Sequence, residues 1–120
     1  MRISLFLGLI LLSQVAVAES LVSKIFTIDQ GKKEIIKVKT TKAVSVNVSF
    51  SDTPFDKTLK CGSCLHLSHQ LADGHINQTN ASNYGTGFIK VLPDNGSVII
   101  IVKHDFNIPK NIKVEIDTVK

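Results

Sequence analysis

The sequence predicts an all-β protein: an antiparallel β-sandwich, Ig-like or jelly-roll-like, or a barrel, of about six to seven strands. Three observations carry that expectation. Residues 19–120 hold 10 Val and 12 Ile against only 6 Leu, and β-branched side chains suit a pleated, half-buried sheet. Several stretches alternate apolar and polar residues with a period of two, which marks strands with one wet face. Turn-forming residues recur at short intervals between those stretches.

The chain opens with a segment of a different kind. Arg2 precedes an apolar run from Ile3 to Leu12, and Ala16-Val17-Ala18 has the small-x-small pattern of a signal-peptidase site. Residues 1–18 therefore read as a secretory signal peptide, with a secreted or periplasmic mature chain. The apolar run is shorter than the ~20 residues a membrane span needs, and no integral membrane segment is expected after cleavage. Residues 19–120 then form one domain of 102 residues, within the usual size range.

Each strand has its own warrant. LVSKIFTI (21–28) is the first, and GKK (31–33) turns the chain into EIIKVKT (34–40). AVSVNVSF (43–50) shows the cleanest alternation, with Val44, Val46, Val48 and Phe50 on one face and Ser45, Asn47 and Ser49 on the other. GFIKVL (87–92) and SVIIIVKH (97–104) flank Pro93-Asp94-Asn95-Gly96, a hairpin signal. Val98 to Val102 is apolar at every position and predicts a central strand covered on both sides. IKVEIDTV (112–119) alternates again, with Ile112, Val114 and Ile116 inward.

The middle of the chain is built differently. No Val or Ile occurs from Ser49 to His75, and four of the six Leu fall within residues 57–73. The spacing of Leu67 and Leu71, with Gly74 beyond them, predicts a short helical turn in a Leu-rich CxxC insert. Residues 77–87, NQTNASNYGTG, read as a polar loop. Asn83 and Tyr84 in that loop are candidate binding residues, because an amphipathic aromatic in a polar loop suits recognition.

Charge narrows the function classes. Residues 19–120 carry 13 Lys, no Arg and 10 acidic residues, a net charge of +3. Phosphate and base readout favour the planar guanidinium, so no nucleic-acid partner is expected.

The chemistry concentrates in KCGSCLHLSHQLADGH (60–75), which holds both cysteines and three of the four histidines. Three readings stand side by side. In an oxidising compartment Cys61 and Cys64 pair as a disulfide that pins a turn. Alternatively, Cys61, Cys64, His66, His69 and His75 hold zinc or copper, since Cys-x2-Cys is ligand spacing and His66 and His69 share one face of a helical turn. The tight packing of those ligands favours a partial site on His66, His69 and His75. Third, CGSC ahead of a helix resembles the thioredoxin active-site turn, which implies a thiol–disulfide redox protein. That fold places its motif directly after a strand, whereas here at least eight residues, Pro54 among them, intervene.

Asn47, Asn77, Asn80 and Asn95 each begin an Asn-x-Ser/Thr acceptor pattern. His104-Asp105 does not make a catalytic pair on one strand, because adjacent strand residues face opposite ways. The expectation is thus a non-enzymatic binding module without a cofactor, contacting a protein or polysaccharide partner. A small metal-binding protein and a redox protein are the alternatives.

Overall fold

The computed structural model describes residues 18–51, 64–82 and 85–119. They form eight strands: β1 (Ser20–Ile28), β2 (Lys33–Lys39), β3 (Val44–Phe50), β4 (Leu65–Gln70), β5 (Ile76–Ser82), β6 (Thr86–Val91), β7 (Ser97–His104) and β8 (Lys110–Thr118). One sheet has the order β1-β8-β3-β6 and the other β2-β7-β4-β5, with every pair antiparallel. The pairings follow a simple rule. β1 pairs β8, β2 pairs β7, β3 pairs β6 and β4 pairs β5, as in one long folded ribbon. Rolling that ribbon adds β3 to β8 and β4 to β7 and closes two sheets. This is the jelly-roll form of the expected sandwich.

The inner faces make one core. Val44, Val46, Val48 and Phe50 of β3 are buried, as are Val98, Ile100 and Val102 of β7 and Ile112, Val114 and Ile116 of β8. Leu65 and Leu67 of β4 and Ile89 and Val91 of β6 complete it. The period of two seen in the sequence is the physical cause: alternate side chains leave a strand on opposite faces.

Four expectations need correction. Residues 65–70 are a strand, not a helical turn, and β4 lies between β7 and β5 in the sheet. This part of the Leu-rich segment is therefore integral to the sandwich and not an insert. Leu65 and Leu67 point inward on the strand period, and two neighbouring ladders outweigh the helical spacing of Leu67 and Leu71. Residues 77–82 of the expected polar loop belong to β5, held by backbone pairing with β4. That accounts for eight strands in place of six or seven. Asn95 (φ 55°) and Gly96 (φ 78°) do form a tight turn, with paired Asp94–Ser97 backbone hydrogen bonds of 2.8 and 3.2 Å. Both central residues have positive φ, as a two-residue turn of this hand requires. Yet β6 and β7 do not pair; the turn carries the chain from one sheet to the other. Finally, β7 is central, but Ile99 and Ile101 on its outer face are only half-buried, and Ile35 opposite Ile101 is 52% exposed.

Gly87 shows how closely the two sheets approach near β5. A Cβ there would meet Val48 Cγ2 and Asn80 Oδ1, each at 3.1 Å.

Candidate functional site

The four histidines separate into distinct environments. β4 sends His66 outward and His69 inward, because they are three apart on a strand. The helical face expected to bring them together therefore does not exist. His66 Nε2–H donates to Asp105 Oδ2 at 2.6 Å. His75 lies in the β4–β5 turn and donates from Nδ1 to Asp73 Oδ2 at 2.8 Å. Its backbone N–H donates to Asp73 Oδ1 at 2.9 Å. These hydrogen bonds, the backbone one first, hold the Asp73 carboxyl below its ordinary pKa. Among the described residues, no group of three or more His, Cys, Asp or Glu is placed to hold a metal ion.

His104 is structural. It is buried at the inner end of β7, where Nε2–H donates to the Ile28 carbonyl at 2.7 Å and Nδ1 accepts from Phe106 N–H at 3.1 Å. Those two bonds fix the neutral tautomer. Its ring lies near Phe50 and Phe106, whose centroids are 5.5 Å apart in an edge-to-face pair. The Lys110 ammonium sits 4.6 Å from the Phe106 ring centroid.

His69 is 1% exposed. Asn77 Nδ2–H donates weakly to its Nδ1 at 3.4 Å, and Nε2 has no partner. Burial lowers its pKa below the usual 6.5, and the charge of Asp94 opposes that shift. The sign follows from linkage: the unfolded chain binds the proton more readily. Stability from the neutral ring is full above 6.5 and is lost as pH falls through and below that value. Replacing His69 by Leu removes the buried orphan and is expected to raise stability by about 1 kcal/mol. Denaturant titrations at a series of pH values should show a flatter slope between about pH 7 and 5 than the parent. An unchanged slope would assign the pH dependence to another group.

Cys64 is fully buried at the start of β4, and its carbonyl accepts from Asp105 N–H at 3.0 Å. Cys61, Asn83 and Tyr84 lie outside the described residues.

The outer face of the β1-β8-β3-β6 sheet carries a constellation that the sequence reading passed over. Phe88 is 45% exposed on β6. It stands opposite Asn47 of β3, which stands opposite Glu115 of β8 and, beyond it, Ser23 of β1. Ser45, Ser49, Thr86 and Lys90 occupy the adjoining outward positions. One apolar ring thus projects from a field of short hydrogen-bonding groups. The alternation in Gly87-Phe88-Ile89-Lys90-Val91 contains the signal, since Phe88 shares the polar face with Lys90.

The chain is a two-sheet antiparallel β-sandwich. No protein-family profile matches its sequence, and no curated protein matches it either. Solved structures do match the fold. The Yersinia pseudotuberculosis-derived mitogen aligns at a TM-score of 0.56 and 10% identity, over 88% of this chain and 88% of that one. The pre-peptidase C-terminal domain of a Bacillus anthracis collagenase aligns at 0.52 and 10% identity, over 79% of this chain and 87% of that one. At such identities the likeness concerns architecture alone.

Proposed function

We propose that this is an exported, non-enzymatic binding module and that its partner is a polysaccharide. The observation that carries the reading is Phe88, a large apolar ring left 45% exposed amid Asn47, Ser45, Thr86 and Glu115. A flat aromatic face stacks on the C–H face of a sugar ring, and short amides and hydroxyls around it match sugar hydroxyls. The leader over residues 1–18 supports export. In that compartment Cys61 and Cys64 pair as a disulfide, consistent with the absence of a free cysteine among the described residues.

Phe88→Ala tests the reading, because the ring is exposed and its loss leaves the core intact. Native gels cast with a panel of neutral and acidic polysaccharides would reveal retardation of the mature protein. The variant should lose at least about tenfold in affinity for whichever polysaccharide retards the parent. Thermal unfolding should be little changed. Retardation equal to the parent's, or none on any polysaccharide, would overturn the proposal.

A further inference from the structure

On the opposite sheet the ladder sets two lysines face to face with no carboxylate within 4 Å of either among the described residues. Lys33 of β2 stands directly opposite Lys103 of β7, and Lys103 stands opposite His66 of β4. All three project from the outer face, so one row crosses three strands at a spacing of about 4.8 Å per strand. Lys32 adjoins the row from the β1–β2 turn, where its N–H donates to the Asp29 carbonyl at 3.1 Å. Gly31, at φ +72°, leaves open space beside it where a side chain would stand. Gly31, Lys32, Lys33, Lys103, His104 and Asp105 line a cleft of about 520 Å³.

The nearby acids do not neutralise the row. Asp105 meets the row only at its His66 end, where Oδ2 lies 2.6 Å from His66 Nε2, and not within 4 Å of Lys33 or Lys103. Glu34 is paired in register with Val102 and so turns toward the inner side. Among the described residues none of Lys32, Lys33 and Lys103 has a carboxylate within 4 Å. Like charges placed directly across a ladder repel and destabilise it. A bound anion removes that repulsion, and lysine ammonium groups serve it as point charges that several side chains can converge on.

We propose that this cleft is an anion site for a sulfate or phosphate group, with Lys33 and Lys103 clamping its oxygens and Lys32 and His66 at its margins. It is separate from the Phe88 face, so either can fail without the other. The test is an amide chemical-shift titration of the mature protein with sodium sulfate and sodium phosphate at constant ionic strength. A second arm uses a sulfated polysaccharide against its unsulfated parent.

Saturable shifts confined to Gly31, Lys32, Lys33, Lys103 and Asp105 are expected. Lys33→Gln combined with Lys103→Gln should weaken binding at least about tenfold, whereas Lys42→Gln, in a remote turn, should not. The double variant should also unfold at a temperature no lower than the parent, because the repulsion is gone. Saturation by the ions alone identifies a free oxyanion as ligand, and a stronger response to the sulfated polymer identifies an esterified one. Either supports the site. Shifts spread evenly over Lys37, Lys39 and Lys42, or equal binding by the double variant, would overturn it.

Discussion

Phe50→Ala is expected to destabilise the protein by about 3–5 kcal/mol, the usual cost of truncating a buried aromatic. Phe50 ends β3 and is 1% exposed. Its ring forms the edge-to-face pair with Phe106 and also faces His104 at 6.4 Å. Deleting it removes a large buried area and leaves a hole at the end of the sandwich where the chain enters and leaves three strands. A domain of this size has a total stability of about 5–15 kcal/mol. The variant should therefore unfold in markedly less denaturant, with a similar dependence on denaturant concentration. Phe50→Leu keeps most of the volume and should recover part of the loss. A midpoint within error of the parent for Phe50→Ala would mean that this end of the core collapses without cost.

His104→Leu should cost about 2–6 kcal/mol, from a different cause. Leucine fits the volume, but the Ile28 carbonyl loses its donor and the Phe106 N–H loses its acceptor. Each buried backbone group left without a partner costs about 1–3 kcal/mol. The effect reaches across sequence, because His104 ties the end of β1 to the end of β7 over 76 residues. Amide hydrogen exchange locates the damage: faster exchange at Phe106 together with loosening at the β1–β2 turn is expected. Parent-like stability would show that water replaces both bonds.

These two variants also show what the sequence made legible. Val44, Val46, Val48 and Phe50 announced their burial through strict alternation, and β7 spans residues 97–104 as the pattern predicted. β4 was obscured because its third inward position is His69, a polar residue that breaks the apolar alternation after Leu65 and Leu67. β5 gave no pattern at all. Its one Ile, Ile76, is 51% exposed, and the ladder to β4 alone makes it a strand. The proximity of His66, His69 and His75 in sequence suggested convergence, but a strand sends the first two to opposite faces. The row of Lys33, Lys103 and His66 depends on register between strands remote in sequence, which no local pattern encodes. Phe88 was readable in principle, since its alternation with Ile89 marks it as outward.

The strand order has a kinetic consequence. Among the described strands only β4 and β5 are neighbours both in sequence and in a sheet, while β8, the last of them, lies between β1 and β3. Neither sheet edge near the amino terminus has its hydrogen-bonding partner until the carboxyl-terminal residues have arrived. Such a chain cannot assemble progressively as it is synthesised, and closing its long loops makes its search for the native state slow. Under the export proposed above, that delay keeps the chain threadable until translocation is complete.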